Sequence, residues 1–179
     1  MDIRTLKNCK KVGSFELNKD NNVKKNLNFV KDSKLSKTDY KKEQARVYYI
    51  AVNNEIVKIG GSNAKNGISG TISPYCSGNG GRPSDRTYGV NHLIEQSLKN
   101  NNKVTLHCQW MSPSITEIPT LFGVVTKEVS FTYKEMEEAC LKEYLQHNHN
   151  RYPNWNFQEA GRPWPKNIQE GRLKLLGGK

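Results

Sequence analysis

Two β-branched and aromatic runs, Arg46-Val47-Tyr48-Tyr49-Ile50-Ala51-Val52 and Glu55-Ile56-Val57-Lys58-Ile59-Gly60, flank the pair Asn53-Asn54. Asn tolerates φ > 0 better than most residues, so the spacing predicts a tight β-hairpin. It sets phenols at the start of one strand and an amine, Lys58, near the end of the other. A cation beside a phenol favours the phenolate and lowers its pKa, which suits proton transfer with water. Register selects the phenol: a two-residue loop pairs Tyr49 with Lys58, and a three-residue loop brings Tyr48 and Lys58 to one face. Farther on, Glu137-Glu138 adds carboxylates to a helical stretch.

The charge balance points to the partner. The chain has 179 residues, 28 basic against 17 acidic, a net charge of +11 and a pI near 9.5. Such a surplus favours a polyanion, and nucleic acid is the commonest; the alternative is a solvated lysine-rich surface. Mean hydropathy of -0.80 with 35% apolar residues predicts a thin core. Cys9, Cys76, Cys108 and Cys140 are scattered without a Cys-x-x-Cys pair, as expected of reduced thiols in a cytoplasmic protein. No apolar run is long enough to span a membrane, and no signal-peptide core is present.

The supporting elements can be read in outline. Residues 1–45 hold 12 Lys/Arg and 6 Asp/Glu. Val12 to Leu17 and Val23 to Val30 flank a turn-forming loop and predict a basic β-hairpin arm, followed by a connector. Residues 61–90 are rich in Gly, with Pro74 and Pro83, and read as a short helix followed by a long loop. Asn91 is placed to cap the next helix, with Leu93, Ile94, Ser97 and Leu98 on one stripe. Lys103 to Trp110 alternates as a strand, Met111 to Pro119 reads as loop, and Leu121 to Val125 as a short strand or bridge. The strongest helix runs from about Thr132 to Gln146, and the residues after Gly161 read as a tail.

Arg46-Val47-Tyr48 and Lys58-Ile59-Gly60, with the element order that follows, resemble the GIY-YIG nuclease superfamily over Arg46 to Gln158. The helix Glu137-Glu138-Ala139-Cys140-Leu141-Lys142-Glu143-Tyr144 is similar to the family helix that carries a metal-binding glutamate. The phase fits Glu137 first and Glu138 second. Tyr152-Pro153-Asn154-Trp155-Asn156 is similar to the family's Pro-x-x-Asn ending, with Asn156 as the site asparagine. The resemblance therefore implies an α+β fold, a small antiparallel β-sheet flanked by helices. A β-hairpin arm (residues 1–45) would precede the core (46–160), and a tail (161–179) would follow it. It resembles small phage endonucleases and short-site restriction enzymes of the superfamily.

The implied activity is Mg²⁺-dependent hydrolysis of phosphodiester bonds in double-stranded DNA, with Mn²⁺ as the substitute cation. Tyr48, Lys58, Tyr75, Glu137 and Asn156 are the implied catalytic residues, and Glu137 and Glu138 the implied metal ligands. The family match selects Tyr48, and hence the longer hairpin loop, with Tyr49 as the fallback. Tyr48 would be the general base or orient the water, and Asn156 would hold a phosphate or its own loop. A lone carboxylate suits Mg²⁺, which keeps several waters. One position departs: Thr71, or Ile68 in the other alignment, stands where the family has a phosphate-contacting arginine, and Lys65, Arg82 or Arg86 would have to supply that charge. Double-strand cleavage needs two sites, so a homodimer or larger homo-oligomer is expected. The alternative is a catalytically inactive nucleic-acid-binding protein that retains the fold, and a third is a structural RNA-binding module. His147 and His149 with Cys140 offer too few ligands for zinc.

Overall fold

The computed structural model describes residues 1–20 and 25–177. Five antiparallel strands form one sheet: β1 (Lys10–Leu17), β2 (Leu27–Lys31), β3 (Arg46–Val52), β4 (Glu55–Ser62) and β5 (Val104–Trp110), in the order β2-β1-β5-β3-β4. The helices are α1 (Lys37–Lys41), α2 (Gly67–Cys76), α3 (Asp85–Lys99), α4 (Tyr133–His147) and α5 (Lys166–Leu175). The fold is thus α+β, an antiparallel sheet flanked by helices, as expected.

β3 is covered on both faces, which is why its run of apolar side chains does not alternate with polar ones. Tyr48 and Ile50 join Ile68, Ile72, Tyr75, Val90 and Ile94 of α2 and α3 in one core. Val47, Tyr49 and Ala51 join Met136, Leu141 and Tyr144 of α4 in the other. α4 begins as its sequence dictates: Thr132 accepts from Glu135 N, and the Glu135 carboxylate returns to Thr132 N, a reciprocal cap.

The hairpin differs from expectation in an instructive way. Its loop is the short one, Asn53-Asn54, with φ of 49° and 72° at the two residues and Val52 opposite Glu55. The longer loop expected from the family match is not formed. Instead the ladder runs Ala51↔Ile56 and then Ile50↔Lys58, leaving Val57 as an extra residue in β4. This β-bulge shifts the register by one, so Tyr48 (opposite Gly60) and Lys58 (opposite Ile50) share a face after all.

Four further readings are corrected. The N-terminal hairpin is present, but β1 lies inside the sheet between β2 and β5, so β1 and β2 are part of the central sheet rather than an appended arm; Val23 lies outside the described residues. Ser84, not Asn91, caps α3, which starts earlier than its apolar stripe suggested. The segment after Gly161 contains α5, whose Arg172 bonds Pro83 O at 2.9 Å and Asp85 at 3.0 Å. Met111 to Pro119, read as loop, holds most of β6 (Ser114–Thr120), which pairs in a two-stranded ribbon with β7 (Gly123–Val129), a longer strand than the short strand or bridge read at Leu121 to Val125, and Leu121 and Phe122 are exposed at the ribbon's tip. Its apolar residues bury little against the body, so no sequence period marked it. Among the described residues, no helix is long and apolar enough to cross a membrane.

Arg46 is fully buried and ties the start of β3 to its surroundings. Its guanidinium donates to Thr71 Oγ1 (3.0 Å), Lys42 O (2.8 Å), Gln44 O (2.9 Å) and Ala64 O (2.6 Å). Arg46→Met removes all four hydrogen bonds and takes their donor from the half-buried Lys42 and Gln44 carbonyls, while Ala64 O keeps Gly67 N–H at 3.1 Å. We expect it to lower unfolding stability by about 3 kcal/mol, read from urea denaturation.

Candidate active site

Beside the end of β4 lies a cleft of about 620 Å³, whose walls include Gly61, Arg86, Glu137, Lys142 and Glu159. Tyr48 is buried, 4% exposed, its hydroxyl 2.6 Å from that of Tyr75 on α2, and both phenols feel the charges of Arg86 and Glu137 on the cleft wall. Asn91, inside α3, donates to Tyr75 O at 2.7 Å and fixes the turn that carries this second phenol. A Cβ at Gly60 would run into the ring and hydroxyl of Tyr48, so a glycine is required beneath the phenol. Burial pushes the pKa of both phenols up, and for Tyr48 the contact with Tyr75 adds to the rise. Both shifts disfavour the phenolate expected at Tyr48.

Lys58 is 1% exposed, and burial pushes its amine down to about 8 from 10.5, against the opposing pull of Glu159. Glu137, half-buried on α4, accepts a hydrogen bond from the Gly61 backbone N–H. A Cβ at Gly61 would come within 2.8 Å of Glu137 Oε2, so the second glycine of β4 also lets a functional group approach. Burial raises the Glu137 pKa, and the nearby Glu159 carboxylate works in the same direction. Glu138 is exposed on the cleft's rim.

Of the three cations considered for the missing arginine, Arg86 reaches the site. It stands on the first turn of α3 rather than in the glycine-rich loop. Its Nε donates to Gln158 Oε1 at 2.8 Å and its Nη2 to Glu159 Oε1 at 2.8 Å. Its charge is felt at Tyr48, Lys58, Tyr75 and Glu137 alike. Lys65 and Arg82 are exposed outside this cluster. Thr71 is buried and serves Arg46 and Ser62 instead (3.0 and 2.9 Å).

Asn156 is fully buried and spends its amide on β4. Its Oδ1 accepts from Ile59 N and its Nδ2 donates to Ile59 O, both at 2.8 Å. Trp155 N adds a bond to the bulge carbonyl, Val57 O, at 2.8 Å. β4 is an edge strand, and this segment satisfies its free backbone groups. Asn156 thus holds the loop and the strand, not a phosphate, and delivers Gln158 and Glu159 to the site. Sequence reading missed both; their place three residues or fewer after Asn156 was the available signal.

Among the described residues, no group of three or more His, Cys, Asp or Glu side chains lies close enough together to hold a metal ion. A single carboxylate, Glu137, faces the cleft from α4, with Glu138 on the rim. The four cysteines are free thiols.

No family model matches the chain, and no curated protein does so. Solved structures do. A mutant of bacteriophage T4 EndoII has 21% sequence identity and a TM-score of 0.50, covering 87% of this chain and 99% of that one. Restriction endonuclease HPY188I, in complex with product DNA, has 23% identity and a TM-score of 0.45, covering 86% and 84%. The EndoII likeness shows that the two chains share a fold.

The buried amine yields a stability prediction. Between pH 8 and 10.5 the unfolded chain binds a proton at Lys58 that the folded chain does not, so its burial penalty is full below about 8 and fades as pH rises to 10.5. Lys58→Met should stabilise the fold by about 2 to 3 kcal/mol at pH 7 and by little above pH 10.5, measured as urea midpoints across pH.

Proposed function

We propose that this protein is a GIY-YIG-type, metal-dependent DNA endonuclease whose phosphate-facing arginine is Arg86. The observation that carries this reading is the cluster of Tyr48, Tyr75, Lys58, Glu137 and Arg86, from five separate elements, of which Glu137 and Arg86 line one cleft and act electrostatically on the other three, in a chain with net charge +11. The fold shared with bacteriophage T4 EndoII supports it.

Phosphodiester hydrolysis needs a placed water, a cation facing the non-bridging oxygens and neutralisation of the charge that builds at phosphorus. The paired hydroxyls of Tyr48 and Tyr75 can orient the water without either being ionised, since each both donates and accepts. Lys58, in its protonated form, supplies positive charge where water is excluded, so the charge acts at low dielectric, and Arg86 supplies it from the partly exposed cleft wall. Glu137 has the chemistry for Mg²⁺ or Mn²⁺, a half-buried carboxylate on an open cleft with room for the ion's waters. Such an ion would act as a Lewis acid on the phosphoryl oxygen. Glu138 would act through water from the rim. Lys65 and Arg82 are placed to grip the duplex backbone outside the cleft. Cutting both strands would take two such sites, hence a homodimer.

Cleavage of supercoiled plasmid tests the proposal. Wild type with Mg²⁺ should give relaxed or linear product, and EDTA or Glu137→Gln should abolish it. Arg86→Ala should slow it about 100- to 1000-fold, the usual loss on deleting one donor to the developing charge. A Lys65→Ala/Arg82→Ala double variant should keep the cleavage chemistry and flatten the log-affinity against log-salt slope by about 0.9 per lost contact. Salt-sensitive binding with no turnover under any divalent cation would identify a nucleic-acid-binding protein that has kept the fold and lost the chemistry.

A further inference from the structure

The cations of the site are already engaged by an anion of the protein itself. Glu159 Oε1 lies 2.8 Å from Arg86 Nη2 and 3.9 Å from Lys58 Nζ, so one oxygen faces both. That is the geometry a non-bridging phosphate oxygen would adopt between a guanidinium and an ammonium. The carboxylate is 15% exposed and the Arg86 side chain 41%, and both border the cleft. At 3.9 Å the contact with Lys58 is too long for a hydrogen bond, so the carboxylate acts on the buried amine through charge alone. The loop that carries Glu159 is anchored through Asn156, so the carboxylate is held there by more than its own attraction.

We infer that the Glu159 carboxylate occupies the seat of the scissile phosphate and must be displaced by a diester before Arg86 and Lys58 can act. This rests on the endonuclease reading for the identity of the diester. A displaceable carboxylate has two consequences. It holds Arg86 and Lys58 in place between encounters, and it sets a threshold, since only an anion offered with further backbone contacts outcompetes a tethered one. The ligand class is accordingly a phosphodiester within a polyanion, not free phosphate.

The test measures duplex oligonucleotide affinity by fluorescence anisotropy in Ca²⁺, beside cleavage in Mg²⁺ and Mn²⁺. Glu159→Gln should bind about tenfold tighter, with a salt slope steeper by about 0.9. Glu159→Asp keeps the charge but shortens the reach, and should move the same way by a smaller factor. Glu170→Gln, an exposed charge control on α5, should change affinity less than twofold (about the reach of a screened surface charge). In an Arg86→Ala background the Glu159→Gln gain should disappear. Unchanged or weaker binding by Glu159→Gln and Glu159→Asp, or a gain that survives Arg86→Ala, overturns the inference. A gain in binding with no cleavage by any form would instead sink the endonuclease reading and leave the latch standing. Cleavage by wild type with no gain would do the reverse.

Discussion

The extra residue in β4 is the constraint on which the site depends. Without the bulge at Val57, the two-residue Asn53-Asn54 turn would send Lys58 to the α4 face and leave Tyr48 facing α2 alone. The bulge puts the phenol and the amine on one side. It also turns Val57 O outward, where Trp155 N meets it, and the next residue on that edge, Ile59, is met by Asn156. One irregularity in one strand thus sets the face of the catalytic candidates and the docking point of the loop that brings Gln158 and Glu159. Glycines then follow because of what approaches β4: Gly60 accommodates Tyr48, and Gly61 accommodates Glu137.

The site's electrostatics are those of a pocket built for charge it does not fully supply. Two cations, Lys58 and Arg86, face two carboxylates, Glu137 and Glu159, in surroundings that push the Lys58 amine down and the Glu137 carboxyl up. Burial alone accounts for most of both shifts, since desolvation disfavours either charged form. A substrate phosphate on the cations would relieve the strain on Lys58, and a cation at Glu137 would relieve the strain there. Stability lost in the empty protein is then regained on binding, which is how preorganised sites are usually arranged. Arg46 is a contrasting case: equally basic and deeply buried, it is saturated by carbonyls and a threonine and has structural work only.

Much of this was legible in the sequence because its signals are local. The β-branched runs either side of Asn53-Asn54, the Thr132…Glu135 cap and the apolar spacing of α4 each need only neighbours in the chain. The resemblance to the family helix preferred Glu137 to Glu138; both line the cleft, Glu137 half-buried and Glu138 exposed. What failed was non-local. The bulge is stabilised by Trp155 and Asn156, about a hundred residues away, so no local pattern announces it. Arg86 read as part of a glycine-rich loop because α3's first turn is held by Ser84 and by Arg172 of α5 rather than by an apolar stripe. The ribbon at Ser114–Val129 escaped for the opposite reason: its apolar side chains are exposed, so burial imposes no pattern on them.

The measurement that bears most directly on the account is a crystal structure with an uncleaved DNA duplex and Ca²⁺ in place of Mg²⁺. The account predicts a backbone phosphate in the cleft, its oxygens within about 3 Å of the Arg86 guanidinium and facing Tyr48 and Lys58, with Ca²⁺ at Glu137. Glu159 should have withdrawn from Arg86. A duplex bound elsewhere, with Arg86 still on Glu159 and the cleft free of phosphate, would contradict it.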